Sequence, residues 1–290
     1  MIHFISHERI DRTAYDSCVE ASSNFRIYAL SWYLDAVALT WDVLVLDDYR
    51  AVMPLPRRSK YGLSYVYTPA FVQQLGVFSP HEMESEQECR FYKRAFSRYF
   101  LMDYFAHASS KCATVAWAPR TNYTLRLDKS HTELRKGFNT NRKRLLRQAT
   151  GELRIDREGD PGLFLEMSRR SPTGYKLDDS ALAGLERLIG SDNPAIRVWN
   201  VFHGDEWAGG LVWTRDSWRI TYLFPMQGSL GRELQVHTHV IDSLIKDHAG
   251  SGLILDLEGS MIPGVAKFYR SFGAEAETYF YYKSRAYGLF

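Results

Sequence analysis

The sequence repeats one order of strands, loop and helix, and this repeat restricts the fold more than any other feature. In each copy, alternating apolar residues predict a hairpin and a third strand, followed by a loop with proline and glycine, a helix and a last strand. The first copy comprises strands at 41–46, 51–55 and 63–67, a helix over 79–100 and a strand at 113–117. The second copy comprises strands at 195–202, 207–213 and 218–224, a helix over 232–249 and a strand at 253–257. We therefore expect two copies of one α/β unit.

Length and charge agree with two folded domains. The chain has 290 residues, and a typical domain has about 100 to 200. Its 45% hydrophobic and 24% charged residues differ from the composition of disordered chains. We place the boundary near residue 120, which gives an N-terminal domain of 1–120 and a C-terminal domain of 121–290. Because 36 basic and 34 acidic side chains nearly cancel, the chain is not expected to bind DNA.

The cysteines and the first residues bear on location. Cys18, Cys89 and Cys112 are odd in number and widely spaced, so we expect neither a disulfide framework nor a metal site of the CxxC type. The start of the sequence has charged residues at 8–12 and no apolar segment of signal-peptide length. No uncharged apolar stretch reaches the roughly 18 residues of a membrane span. We therefore expect a cytoplasmic protein without a membrane span.

The segment near the C-terminus carries the most specific pattern. A strand with the sequence LILDLEG at 253–259 is followed by a loop and a short helix that ends in Phe272, with Ala266 and Tyr269 at helical spacing. This segment resembles the final helix motif of the GNAT superfamily of acyltransferases, and the resemblance extends to the strand and loop of 218–231. It implies the transfer of an acyl group to an amine.

A second resemblance covers the start of the second half. Its residues are YTLRLD at 123–128, TELR at 132–135, NRKRLLRQA at 141–149 and ELRI at 152–155. The pattern is similar to the opening of the second domain in the FemABX family. That family consists of double-GNAT proteins and includes peptidyltransferases that use aminoacyl-tRNA. The resemblance implies tandem GNAT-like α/β domains, each a twisted mixed sheet flanked by helices, which agrees with the repeat found in the residues themselves.

Acyl transfer to an amine requires a base for the amine and an acid for the leaving group. Side-chain alternation in the strand at 253–258 places Asp256 and Glu258 on one face. By the GNAT resemblance, the end of this strand lies where two strands part, so Glu258 is the candidate base, unless it only accepts hydrogen bonds from backbone amides. The same resemblance makes Tyr269 the candidate acid for the departing thiolate, unless its ring only packs.

GNAT enzymes hold the pyrophosphate of acyl-CoA with backbone amides at a helix N-terminus, where the helix dipole favours an anion. The corresponding loop supplies five candidates for binding the donor: Gln227, Gly228, Leu230, Gly231 and Arg232. Glu233 adds a negative charge to the first turn of the predicted helix. Acyl-CoA or acetyl-CoA is the co-substrate that the resemblance implies, and the alternative is a loop that only starts a helix.

A basic segment lies at the start of the second half. Ser130 and Glu133 have the spacing of a capping box, and no acidic residue occurs at 134–151. The cations of this segment would attract phosphates of CoA, of a nucleotide sugar or of tRNA, and Arg142 and Arg147 are the candidates for such contacts. A solvated, charge-rich helix is the alternative.

The function that these patterns favour is transfer of an acyl group from acyl-CoA to an amine on a small molecule or a peptide. Two alternatives stay open: a FemABX-type peptidyltransferase that uses aminoacyl-tRNA, and a non-catalytic GNAT-fold binding protein. Peptidyltransferases of that family tend to carry a lysine where Tyr269 stands, which favours acyl-CoA. His237 and His239 would lie on different faces of a helix, so we expect no metal.

Overall fold

The computed structural model describes residues 1–148, 153–170, 177–259 and 261–284. It divides into two compact units. Unit 1 contains Met1–Arg120 and the residues from Thr278, and unit 2 contains Thr121–Glu277. Residues 149 and 152 of the FemABX-like pattern lie outside the described residues.

Both halves of the chain contain strands and helices, and three consecutive strands occur in each. The elements of the first half are β1 (Ile2–Ile5), α1 (Arg12–Glu20), α2 (Ser31–Val37), β2 (Thr40–Leu46), β3 (Ala51–Lys60), β4 (Leu63–Tyr67), α3 (Ser85–Arg98) and β5 (Met102–Ala106). Those of the second half are β6 (Ala118–Arg126), α4 (His131–Lys136), α5 (Thr140–Leu145), β7 (Leu153–Asp156), α6 (Pro161–Arg170), α7 (Asp179–Ile189), β8 (Ile196–His203), β9 (Glu206–Arg215), β10 (Arg219–Gln227), α8 (Ser229–Glu233), α9 (Val236–His248), β11 (Ile254–Gly259), α10 (Pro263–Arg270) and β12 (Glu275–Lys283).

The sheet of unit 1 has the strand order β1-β2-β3-β4-β5-β12. Its neighbouring strands are antiparallel, except that β4 and β5 run parallel and are connected through α3. β12 contributes Phe280 to Lys283, which pair with β5. The segment from Thr278 therefore lies in unit 1, whereas the sequence analysis assigned all of 121–290 to one domain.

The sheet of unit 2 repeats this order as β7-β8-β9-β10-β11-β6. Its neighbouring strands are again antiparallel, except that β10 and β11 run parallel and are connected through α8 and α9. The mixed α/β sheet with flanking helices, and its occurrence in two copies, are confirmed.

The core of unit 2 lies between this sheet and α9. The apolar residues on one face of α9 are buried and belong to the same cluster as Leu255 and Leu257 of β11. They are Val236, Val240, Ile241, Leu244 and Ile245. Burial of a side chain of this size is worth about 1.5–3 kcal/mol, so α9 is held on the sheet by its apolar face.

The helix predicted over 232–249 is broken. α8 ends at Glu233, and Gln235, with a φ of 55°, separates it from α9. A left-handed residue interrupts the helical hydrogen bonds, so α9 has an N-terminus of its own at Val236. The basic segment is broken in a similar way: the capping box of Ser130 and Glu133 starts α4 as predicted, but α4 ends before Gly137 and α5 starts at Thr140.

Two predictions for the first half are wrong, and a third has the wrong start, because the helix predicted over 79–100 is α3, which begins at Ser85. The strand after α3 is β5, at Met102–Ala106, and not 113–117, because Trp117 turns into the loop, where its indole nitrogen donates to the Cys112 carbonyl (2.8 Å). Cys89 and Cys112 form a disulfide with a Cα–Cα distance of 4.9 Å, although they are 23 residues apart in sequence. Cys18 is a buried free thiol.

Candidate active site

The parallel strands of unit 2 part at their C-terminal ends. β10 and β11 pair over Arg219 to Thr221 and Ile254 to Asp256, and the pairing ends there although both strands continue. The register of β10 against β9 shifts between Thr221 and Phe224, and that of β11 against β6 shifts after Asp256. Such irregularities bend a strand away from its neighbour, so an opening forms between the two strands.

A cleft of about 410 Å³ lies on the β10 side of this opening. Its lining residues come from β10, from the region of α8 and α9, and from α10: Tyr222, Pro225, Gln227, Arg232, Gln235, His237, Thr238, Gly264, Val265, Phe268 and Tyr269. They include the cation Arg232 and no carboxylate. The first turn of α9 also faces the cleft through His237 and Thr238, and a helix N-terminus favours negative charge. The cleft is therefore suited to an anionic ligand with an apolar part.

Tyr269 lies in the wall of this cleft and is 8% exposed. Its ring contacts those of Tyr222 and Tyr123, each at a centroid distance of 6.3 Å. Burial raises the pKa of Tyr269 well above its ordinary value, and the carboxylates of Glu258 and Asp256 raise it further. The hydroxyl therefore keeps its proton at neutral pH, as a general acid must.

Glu258 lies at the bend of β11 and has the left-handed backbone φ of 57°. Its amide donates to Oδ1 of Asp256 (2.9 Å), and the other carboxylate oxygen of Asp256 accepts from Arg219 (2.6 Å). A left-handed non-glycine residue costs about 1–2 kcal/mol, which this hydrogen bond helps to offset. The bend also breaks the regular alternation from which a shared face with Asp256 was predicted. Glu258 is partly buried and is not among the residues that line the cleft, although it lies near enough to raise the pKa of Tyr269.

His237 and Tyr222 form a polar pair in the cleft that the sequence analysis missed. Nδ1 of His237 lies 2.7 Å from the Tyr222 hydroxyl. Burial lowers the pKa of His237 to about 4, and a hydrogen bond to the Met226 carbonyl opposes this. Because the neutral ring donates one proton to Met226, its other nitrogen accepts the proton of Tyr222. The sequence analysis had considered His237 only as a metal ligand together with His239. The signal that could have identified His237 is its place in the sequence, directly after the predicted donor loop.

Some residues of the predicted donor loop line the cleft, and the others pack against the rest of unit 2. Gln227 and Arg232 line the cleft, and Oε1 of Gln227 is buried without a hydrogen-bond partner in the described part of the chain. Gly228 donates its amide to the Ala208 carbonyl (3.2 Å), and a Cβ on Gly231 would lie 1.9 Å from the same oxygen. The glycine at 231 is therefore required for packing α8 on β9. Leu230, the fifth candidate, packs against the core of unit 2.

Arg142 lies behind the cleft wall and is 9% exposed. Its Nε donates to Oγ of Ser271 (2.8 Å), its Nη1 donates to the Thr238 hydroxyl, and its guanidinium lies 4.6 Å from the centre of the Phe268 ring. Arg142 therefore connects α5 to α9 and α10. Arg147, its partner in the sequence prediction, is exposed beyond the end of α5.

The corresponding position in unit 1 is filled by the chain itself. β4 and β5 pair at Val66 and Tyr67, and after this point Leu75 lies beside β5. The Leu75 amide donates to the Phe105 carbonyl (3.0 Å), and its carbonyl accepts from the His107 amide (2.9 Å). Leu75 is fully buried. The two units have the same strand order. In unit 1, however, Leu75 closes the gap beside β5, whereas the corresponding strands of unit 2 stay apart.

Comparisons with known proteins agree with this architecture. No protein-family model and no curated protein matches the sequence. Among solved structures, FemX is similar with a TM-score of 0.63 and 12% identity, over 97% of this chain and 98% of its own. A tandem GNAT protein from the clavulanic acid biosynthesis pathway has a TM-score of 0.54 and 9% identity, over 98% and 99% of the two chains. The chain has a tandem GNAT fold.

A further structure with this fold is L-PGS from Bacillus licheniformis, with a TM-score of 0.57 and 10% identity over 96% of this chain and 94% of its own. The resemblance to double-GNAT proteins that the sequence predicted is thus confirmed at the level of the fold. Within the described residues of this tandem GNAT chain, no group of histidine, cysteine or acidic side chains could hold a metal ion. The helices described here include none that is long and apolar enough to cross a membrane.

Proposed function

We propose that the chain is an N-acyltransferase that takes an acyl group from acyl-CoA, and that the cleft of unit 2 is its donor site. The observation that carries this proposal is the cleft of about 410 Å³ beside the parted end of β10, whose described lining residues include a cation and a helix N-terminus and no carboxylate. The fold of the solved structures is consistent with the proposal and does not identify the donor.

The residues of the cleft fit the chemistry of acyl-CoA. Arg232 and the first turn of α9 would hold phosphate groups. The pantetheine arm contains amide N–H groups, and the buried Oε1 of Gln227 offers an acceptor that needs a donor. Val265 and Phe268 supply the apolar surface that the methylene groups of the arm would contact.

In this proposal Glu258 is the base and Tyr269 is the acid. Glu258 would accept a proton from the amine, whose nitrogen then attacks the thioester carbonyl, so that the C–N bond forms and the C–S bond breaks. Tyr269 would donate its proton to the thiolate that leaves, since its raised pKa keeps the hydroxyl protonated until that step. The two protons are then exchanged with solvent, and both side chains return to their starting states.

The rest of the chain has supporting roles in this proposal. Unit 1 would act as a scaffold because its gap is closed by Leu75. Arg142 would hold α10 in place, and Arg147 would contact anionic groups at the surface. The acceptor would be a small-molecule or peptide amine.

Calorimetric titration with CoA and acetyl-CoA tests the donor. We expect saturable binding by the wild-type protein and by Gly264→Ala, and loss of binding in Gly264→Trp, which fills the cleft at a position where a Cβ meets no atom within 4 Å. Absence of binding at millimolar ligand would refute the acyl-CoA proposal. Retention of charged tRNA on a filter, decreasing with salt, would then favour the peptidyltransferase, and no retention would favour a non-catalytic role.

A further inference from the structure

The β3–β4 hairpin of unit 1 ends in a tight turn. Lys60 pairs with Leu63, and the two residues between them, Tyr61 and Gly62, have positive φ angles of 51° and 76°. This is the backbone that a two-residue hairpin turn requires. β4 pairs with β5 from Val66 onward, so the end of the hairpin is a ribbon of two strands. We call residues 58–63 the hairpin end.

Large apolar side chains at the hairpin end are exposed to solvent. Tyr61 is 84% exposed and Leu63 is 52% exposed. By contrast, the first part of β3, at 51–56, is buried in unit 1. The turn is fixed by its backbone and by strand pairing, so the fold does not require apolar side chains at these two positions.

The hairpin end also lies in a segment of the sequence whose charged residues are all basic. Residues 49–81 contain four basic side chains and no acidic one. Of these, Arg57 pairs with the buried Asp42 (2.6 Å) on one face of β3. Arg58 and Lys60 lie on the other face, since side chains alternate along a strand. The Arg58 guanidinium packs 4.2 Å from the centre of the Tyr67 ring, and Lys60 is exposed. The Lys60 ammonium lies 5.3 Å from the centre of the Tyr61 ring, so cation and ring occupy the same end of the ribbon.

We propose that the hairpin end binds the surface of an anionic lipid bilayer. Basic side chains are attracted to acidic headgroups, and tyrosine and leucine side chains are suited to the boundary between headgroups and acyl chains. A single-stranded nucleic acid would also use the cations and could stack on Tyr61, but it would gain little from Leu63. The apolar partner of Tyr61 therefore favours a membrane surface, and this proposal is independent of the acyl donor.

Sedimentation of the full chain with lipid vesicles tests the proposal. We expect binding at millimolar lipid to vesicles of phosphatidylglycerol and phosphatidylcholine in equal amounts, decreasing with salt, and little binding to phosphatidylcholine alone. Lys60→Glu should lower the partition coefficient about fivefold or more, from the usual contribution of one cation near a charged membrane. Tyr61→Ser and Leu63→Ser should lower it as well.

Trp218→Ser is the matched control. Trp218 is 67% exposed at the β9–β10 turn of unit 2, and the neighbouring Asp216 is acidic. This variant should bind anionic vesicles as the wild type does. Equal binding by wild type and Lys60→Glu, or no binding to anionic vesicles, would overturn the proposal. A third outcome would also overturn the proposal: the wild type binds single-stranded RNA and no vesicles, and the hairpin variants lose the RNA binding. The ligand would then be a nucleic acid. Thermal unfolding confirms that each variant is folded.

Discussion

Gly264 is the position where a side chain can be added to the cleft without displacing the protein. A Cβ there meets no heavy atom within 4 Å, and the residue follows Pro263 in the first turn of α10. Alanine is a better helix former than glycine by up to about 1 kcal/mol. Gly264→Ala should therefore leave donor binding unchanged and raise the melting temperature by about 2–4 °C at most.

Gly264→Trp should instead block the donor. Its ring would stand in the cleft of about 410 Å³, among the side chains of Val265, Phe268 and Tyr269. Because the ring would occupy volume that the donor needs, we expect the affinity for acetyl-CoA to fall about 100-fold or more, which corresponds to about 3 kcal/mol of binding free energy and leaves no binding detectable at micromolar ligand. Calorimetry with acetyl-CoA measures this loss, and thermal unfolding measures whether the fold is retained.

Gly231 is the wrong place for the same test, although the sequence analysis identified it as a donor residue. A Cβ on Gly231 would lie 1.9 Å from the Ala208 carbonyl oxygen, so even alanine would displace α8. We expect Gly231→Ala to lose about 1–3 kcal/mol of stability, and a loss of binding there would not identify a ligand site. If folded Gly264→Trp bound acetyl-CoA like the wild type, the assignment of the cleft would be refuted.

Four further predictions address the acid, the disulfide and two buried cationic or titratable groups. Tyr269→Phe should lower turnover about 10²- to 10⁴-fold at an unchanged melting temperature; equal turnover would remove its role. Reduction of the bond between Cys89 and Cys112 should cost about 3 kcal/mol in urea unfolding, and two reactive thiols in untreated protein would contradict the bond. Arg142→Lys loses paired hydrogen bonds and should cost about 1–3 kcal/mol in the same assay. Because the pKa of His237 falls from 6.5 to about 4 on folding, the unfolded chain binds the extra proton between these values. The contribution of His237 to stability is thus fully present above pH 6.5 and falls by about 3 kcal/mol toward pH 4. Burial also lowers the pKa of His107 to about 4, so His237→Gln should remove one part of this dependence in unfolding titrations and leave the part that His107 contributes.

The duplicated sheet could be predicted because strand periodicity and turn residues are local. The alternation in 207–213 and 218–224, for example, needs only neighbouring residues to be recognised. The break at Gln235 could not be predicted, because a glutamine with positive φ carries no sequence signal and is held by its surroundings. The disulfide was missed for a related reason: 23 residues separate the two cysteines, and only the packing of the loop after β5 brings them together.

The candidate site was predicted in part. Tyr269, Gln227 and Arg232, which the GNAT resemblance had selected, line the cleft. Gly231 was interpreted as a phosphate-loop glycine, but its nearest neighbour is a backbone carbonyl of β9. His237 was missed because its partner, Tyr222, lies on a neighbouring strand, and such a pair has no sequence spacing of its own.

The closed gap of unit 1 has a consequence for the motions of the two copies. The amides of Leu75 and His107 are hydrogen-bonded to neighbouring carbonyls, so they should exchange with deuterium only when that part of the sheet opens. In unit 2, β10 and β11 do not pair beyond Thr221 and Asp256, so their amides gain no such protection from exchange there. Duplication thus allows one half of the chain to be rigid while the other retains the local looseness through which a ligand can enter and leave.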